Sequence, residues 1–371
     1  TGRYVYISDT LNGNVKVFDT TDNTVVATIP VLSGKIVFSP DGATAYAPLT
    51  GYGAAAKIAV IDTSTSTSTI TDTVTVPLPG NLGIHDVAVS PNGQHLYALM
   101  YTADQEQLVV LNSSDFGVIS TTDVGYNAQA LTLSPDGAKL YFSAQDPGQG
   151  LGVRMFDTIT NSLSKTDLPA STAYNVPMAV GLDGHYLYVG RSDYHADDNS
   201  FSTDLLVYET STLSLVQTIP IEATINQRSN SIYSLAVTPS GNRLYVANWS
   251  GDVLVLDTAD LSSIGHLFGG PGPIVISPDA TRAYMVSANR GYDSRYLQIF
   301  SINESASVNH APHASDDAIA TDEDAPVTVS VATLLANDTD AEHDPLSIST
   351  VSQGDHGITN LANGVITYTP D

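Results

Sequence analysis

The chain has no cysteine among its 371 residues, so disulfides, thiolate metal sites and a cysteine nucleophile are all excluded. Basic residues are scarce: 13 Lys and Arg stand against 39 Asp and Glu, a formal charge of -26. That charge would repel a phosphate backbone or an anionic membrane surface, which excludes nucleic-acid partners and leaves cations, glycans and protein surfaces. No apolar run approaches the ~20 residues of a membrane-spanning helix, so direct membrane insertion is not expected. A secretory leader is also missing. Thr1 to Ser8 reads as the middle of a repeat, so the native start is expected upstream. There is no G-x-S-x-G elbow, no H-E-x-x-H helix and no phosphate-cradling glycine loop.

What the chain does have is repetition. The stretch LAVTPSGNRLYVAN, Leu235 to Asn248, combines an apolar strand, a tight turn and a second strand, and related stretches end at Leu49, Met100, Ala144, Arg191 and Ser287. A shortened copy opens the chain. The turn positions Gly2, Gly42, Gly93, Gly137, Gly184, Gly241 and Ala280 lie about 40 to 57 residues apart, the period of propeller blades rather than of helical solenoids. Within one unit, strands a to d are expected at Ser234 to Thr238, Arg243 to Ala247, Asp252 to Asp257 and Ser263 to Phe268. Pro presets φ in the P-D-G and P-N-G turns and Gly supplies positive φ, so these are structural hairpins. Asp19, Asp62, Asp157 and Asp257 each end a V-x-V-x-D-T-like strand, where an Asp side chain bonds the turn backbone.

Leu244 to Asn248 and Leu187 to Val189, with the SPDG-like turns before them, resemble the YVTN-type β-propeller repeat proteins over residues 1–302. The resemblance implies an all-β, seven-bladed propeller. Strand a is missing from the first unit and strand d from the last, so closure of the ring is expected to draw on residues upstream of Thr1.

Composition changes after Ile302, with residues 303–313 reading as a linker. From Ala314 onward, D-D, T-D-E-D, L-A-N-D-T-D and the final Y-T-P-D resemble a cadherin-like, immunoglobulin-type sandwich repeat of bacterial surface adhesins, cut short at Asp371. The resemblance implies Ca²⁺ between such repeats. Asp316, Asp317, Glu323, Asp324, Asn337, Asp338, Asp340 and Asp344 carry the hard oxygen ligands that Ca²⁺ takes, although the spacing is not that of an EF-hand.

Two ligand-binding candidates lie on the propeller. The insertion from Arg191 to Asp204 reads as a long b-to-c loop, whose Asp193, Tyr194, His195 and Phe201, with Asp197, Asp198 and Asp204, combine carboxylates and aromatics suited to a cation or sugar. The channel mouth, five residues before each turn's Ser-equivalent, collects Gly34, His85, Gln129, Val176, Tyr233 and Gly272, with Trp249 on a nearby loop. His85, beside Asp86, is the one catalytic candidate there; no catalytic residue is assigned. The expected protein is extracellular or on the cell surface, its propeller presenting a glycan- or protein-binding face on a calcium-stiffened stalk. The alternatives are a lactonase- or lyase-type enzyme at the channel mouth and a structural surface-layer component.

Overall fold

A computed structural model describes the chain except residues 1, 32, 50–55, 66, 78–80, 103–104, 148–149, 169–175, 196–199, 222–230, 271, 289–294, 303–311, 341–345 and 355. The architecture is almost entirely β. The first sheet is β1 (Tyr4–Asp9), β2 (Asn14–Asp19) and β3 (Thr24–Ile29), and the second is β4 (Val37–Phe38), β5 (Thr44–Pro48), β6 (Lys57–Asp62) and β7 (Thr69–Thr75). A seven-stranded sheet follows: β8 (Asn81–Val89), β9 (His95–Thr102), β10 (Glu106–Asn112), β11 (Val118–Leu133), β12 (Lys139–Gln145), β13 (Leu151–Asp157) and β14 (Ser162–Asp167). Its 16-residue strand β11 pairs with β10 through its first half and with β12 through its second. It therefore closes one unit and opens the next.

Two four-stranded sheets come after it. They are β15 (Met178–Val180), β16 (Tyr186–His195), β17 (Ser200–Glu209), β18 (Leu215–Pro220), then β19 (Ile232–Val237), β20 (Arg243–Asn248), β21 (Asp252–Asp257), β22 (Ser263–Phe268). A three-stranded sheet of β23 (Ile274–Ile276), β24 (Arg282–Ala288) and β25 (Arg295–Ser301) ends the ring. All pairings within these sheets are antiparallel and sequential.

Adjacent units pack through their innermost strands, β4 on β8, β8 on β11, β11 on β15, β15 on β19 and β19 on β23, so these strands surround a common axis. The core lies between sheets, where strands such as Leu96 to Met100 and Leu187 to Val189 are buried on both faces. Outer strands are exposed, as in β7 and β18.

The repeated tyrosine locks one unit to another. Tyr141 donates to the Thr210 carbonyl at 3.1 Å, and Tyr6 shares a 2.6 Å hydrogen bond with Ser68. Burial pushes the Tyr141 hydroxyl up to about 12. First and last units also meet: Arg282 Nη1 donates to the Thr20 carbonyl at 2.7 Å, and a Cβ on Gly2 would lie 3.0 Å from Pro278 Cδ. Gly93 approaches Pro40 and Gly137 approaches Pro91 in the same manner, whereas Gly42 meets nothing within 4 Å, so the turns form a partial belt.

The expected turn chemistry is present. Gly42, Gly93, Gly137, Gly184 and Gly241 have φ between 69° and 83°, and Ala280 takes 53° in the equivalent place. Asp19, Asp62, Asp157 and Asp257 each accept the backbone N–H two residues on, from Thr21, Ser64, Ile159 and Ala259. One expectation is corrected. The 191–204 segment is not an open loop: β16 and β17 run through it as a hairpin, with Arg191 opposite Asp204 and His195 opposite Ser200.

Beyond residue 311, β26 (Val327–Ser330), a four-residue helical turn α1 (Val331–Leu334), β27 (Gly357–Ala362) and β28 (Val365–Pro370) form a small sheet in the order β26-β28-β27. The His313 ring lies 6.5 Å from His185, on the turn face of the ring.

Candidate binding face

Inner strands begin, and b-to-c connections turn, at the end of the ring opposite the glycine belt. Side chains from two kinds of element meet there. In β11 the antiparallel register slips twice, with Asn127 and Ala130 at positive φ, and this frees backbone N–H groups from the ladder. Two buried carboxylates take them: Glu106 accepts from Ala128 N, and Asp86 Oδ2 accepts from Leu131 N at 2.8 Å. Burial pushes the Glu106 carboxyl above its ordinary range. Lys35 Nζ sits 2.8 Å from Asp86 Oδ1 and donates to the Leu131 carbonyl at 2.9 Å.

His85 joins this cluster through Nδ1, 3.1 Å from the Ala128 carbonyl and 3.5 Å from Glu106 Oε1, so Nδ1 carries the proton. Its exposed ring packs on Tyr101 with centroids 4.8 Å apart. The carboxylates thus hold bulged backbone rather than standing free as bases. Lys35 and Glu106 were missed by sequence reasoning. Lys35 had a usable signal, because Lys35 and Asp86 each stand four residues before the turn serine of neighbouring units, Ser39 and Ser90; Glu106 opens β10 and had none.

A second aromatic pair sits farther round the ring. Asn248 Oδ1 accepts the N–H groups of Ser250 and Asp252 at 3.1 and 2.9 Å, folding a tight connection out of which Trp249 projects. Trp249 is 43% exposed and makes an edge contact with Tyr233, with centroids 4.7 Å apart. Gln129 opposes Ser143 in the bulged part of β11. Gly272 is a packing position, since a Cβ there would lie 1.7 Å from the Val286 carbonyl oxygen, whereas a Cβ on Gly34 would meet nothing within 4 Å. Val176 is buried in the core.

In the 191–204 hairpin, Asp193 and Asp204 both pair with Arg191, so a cation would compete with a guanidinium for these carboxylates. Tyr194, His195 and Phe201 are placed on its backbone only, and Asp197 and Asp198 lie outside the described residues.

In the C-terminal module, Asp338 Oδ1 accepts Ser315 N at 2.8 Å, and Asn337 donates to Asp317 Oδ1 at 3.3 Å. Asp340 is buried, while Asp316 is exposed. Glu323 and Asp324 lie in a separate turn bounded by Thr321 and Ala325, and Asp344 lies outside the described residues. The donor set is hard oxygen, as Ca²⁺ requires. Among the described residues, however, no three His, Asp or Glu side chains converge as a metal site.

A ring of antiparallel sheets with a small β module after it defines a β-propeller protein with a C-terminal β domain. Comparison with known proteins agrees. Residues 308–371 match the family model of a cadherin-like domain. The fold is similar to the Kuenenia stuttgartiensis hydrazine synthase structure (TM-score 0.68, 17% identity, covering 81% of this chain and 92% of that one). It is also similar to the β-propeller domain of Myceliophteria thermophila Cps50 (Swd1) (0.56, 14%, 81% and 93%) and to a functionally unknown protein from Desulfotomaculum acetoxidans DSM 771 (0.60, 15%, 81% and 92%). At these identities the likeness is one of fold alone. No curated protein matches the sequence. A propeller joined to a cadherin-like domain is compatible with an adhesin-like protein. No helix among the described residues is long and apolar enough to cross a membrane.

Proposed function

We propose that this chain is the seven-bladed, YVTN-type propeller head of an extracellular or cell-surface adhesin, spanning residues 1–302 and joined through 303–313 to a calcium-binding cadherin-like stalk. The head binds a glycan or a protein through the face that carries Trp249, Tyr233, His85, Tyr101 and Gln129. The observation that carries this reading is the pair of ring contacts there, Tyr233–Trp249 and His85–Tyr101, with the indole of Trp249 left accessible. Accessible aromatic rings offer rigid apolar area with a polar edge, which suits sugar faces and protein hot spots alike. The 191–204 hairpin extends the same end of the ring, and its Tyr194, His195 and Phe201 are assigned to the same face.

Trp249 is the single tryptophan of the chain, so its fluorescence reports directly on this surface. A glycan and surface-protein array should yield a ligand that shifts the emission, and Trp249→Ala should weaken its binding at least about tenfold without changing the melting curve. A ligand bound equally well by Trp249→Ala would remove this face from the assignment.

The competing reading, a lactonase or lyase at the channel mouth, is favoured by one observation. His85 is exposed and lies beside Glu106, whose carboxyl titrates high. Turnover of lactone or uronate substrates, lost in His85→Asn and retained in Trp249→Ala, would establish it.

A further inference from the structure

Arg154 of β13 is the largest fully buried side chain, 1% exposed, in a register that other units fill with apolar groups. Three residues before the end of their c strands, β6, β10, β17 and β21 place Ala59, Val109, Leu206 and Leu254. A guanidinium stays charged and brings five N–H donors, so its burial is costly unless those donors are met. Here they are poorly met. Among the described residues its contacts are Nη1 to the Val153 carbonyl and Nη2 to Asp146 Oδ1, both long at 3.4 Å.

The local sequence makes room for this group. Gly152 stands two residues earlier, where other units carry Asn14, Lys57, Gln107, Asp204 and Asp252, and a Cβ there would lie 2.5 Å from Arg154 Nη1. The guanidinium therefore lies over bare backbone and reaches Asp146, which follows β12 at the b-to-c end of the ring. Asp146 also pairs with Lys165 of β14, and Lys165 first, then Arg154, hold its carboxyl below the ordinary range. Two of the chain's 13 basic residues thus meet at one carboxylate.

Beside them a cavity of about 480 Å³ is lined by Asp146, Pro147, Lys165 and Asp167. That volume falls within the about 300–1,000 Å³ of small-ligand sites. Asp167, opposite Gly152 at the end of β14, has no ion pair or side-chain hydrogen bond among the described residues. Both signs of charge therefore face one polar space. A bare oxyanion would meet the carboxylates of Asp146 and Asp167, and a bare cation would meet Lys165 with Arg154 behind Asp146. The group that suits all four is a carboxylate carried on a ring of hydroxyls. Its oxygens accept from Lys165 and from the unmet N–H groups of Arg154, and its hydroxyls donate to Asp167 and Asp146.

We propose that this cavity is a subsite for a uronic-acid residue of an acidic glycan. The site rests on the reading of the ring as a glycan-binding head and names the sugar class, and it lies in the fourth unit, apart from Trp249 in the sixth.

The probe is methyl β-D-glucuronide, titrated into the whole chain by calorimetry beside methyl β-D-glucoside, alanine and sulfate. The expected result is saturable one-to-one binding of the glucuronide, with the glucoside, which lacks the carboxylate, at least about tenfold weaker. Lys165→Gln and Asp167→Asn, both at exposed positions, should each weaken the glucuronide at least about fivefold without moving the melting curve. Arg154→Met removes the guanidinium and keeps apolar bulk, so it should do the same with circular dichroism retained. Trp249 emission should stay constant throughout. No glucuronide binding, equal binding of the glucoside, or preference for alanine or sulfate overturns the subsite. Glucuronide binding that shifts Trp249 emission and survives Lys165→Gln and Asp167→Asn overturns it too, and returns the ligand to the Trp249 face with the glycan-binding head intact.

Discussion

Single side chains decide much of this molecule's behaviour in acid. Six turn aspartates, Asp19, Asp41, Asp62, Asp136, Asp157 and Asp279, titrate below the ordinary 3.8, chiefly because hydroxyl and backbone N–H groups of neighbouring Ser and Thr residues donate to their ionised form. Asp19 and Asp279 fall to about 2. A carboxyl whose value is lower folded than unfolded stabilises the fold fully above the unfolded value, and loses that contribution as pH falls through the folded one. The melting temperature should therefore hold down to about pH 4 and drop steeply between pH 4 and 2. Asp279→Asn keeps an acceptor oxygen but has no charge to protonate, so its melting curve should fall less over that interval. An identical acid limb in the variant would mean that other groups drive the loss. Asp19, Asp62 and Asp157 were legible in sequence because each bonds a residue two or three positions on. The Lys35–Asp86 pair and the Glu106 bond to Ala128 were not, because they join residues 51 and 22 positions apart.

At the scale of elements, the inner strands are held by backbone approach as much as by side-chain packing. Gly34 and Gly272 occupy the same register and read identically in sequence, yet they differ in space. A methyl on Gly272 would collide with the Val286 carbonyl across the strand pair; on Gly34 it would enter open space. Gly272→Ala should thus cost about 1–3 kcal/mol in urea unfolding, as overpacking against rigid backbone does, while Gly34→Ala should stay within about 0.5 kcal/mol of the parent. Equal effects would place the two strands in equivalent surroundings. Strands of the sixth unit fell close to expectation because apolar runs and D-T endings bound them, and β21 and β22 match to the residue. The 191–204 hairpin did not, since its Ser, Asp and Asn residues carry little strand propensity and its pairing continues a register begun at Tyr186 and Glu209. Sharing of β11 between two units was equally hidden. Nothing in Gly125 to Ala130 announces that one strand crosses the gap.

For the molecule as a whole, the charge of -26 stands against a fold that closes on itself through Arg282, Thr20, Gly2 and Pro278. Mutual repulsion among surface carboxylates opposes compactness, and salt screens it over about 10 Å at 0.1 M. Raising NaCl should therefore raise the melting temperature smoothly and without saturation at millimolar concentration. Calcium bound by the cadherin-like module, as proposed, would act differently. Binding to the folded state alone stabilises by mass action, reaching about 2.7 kcal/mol at a hundred times the dissociation constant, on top of screening. At constant ionic strength, CaCl₂ should then add a saturable rise that MgCl₂ does not reproduce, because Mg²⁺ demands a tighter octahedral shell and gives up its water reluctantly. Asp317 is exposed, and among the described residues it accepts one long hydrogen bond, from Asn337, so Asp317→Asn should leave the fold intact while removing one hard ligand. That variant should lose the calcium-specific rise and keep the sodium response. If the calcium rise persists in Asp317→Asn, the ion sits elsewhere; the acidic 191–204 hairpin would be next, where Arg191 already neutralises Asp193 and Asp204 and a cation would have to displace it. If calcium and sodium act alike at matched ionic strength, the acidity of the module serves solvation and the stalk is stiffened without metal.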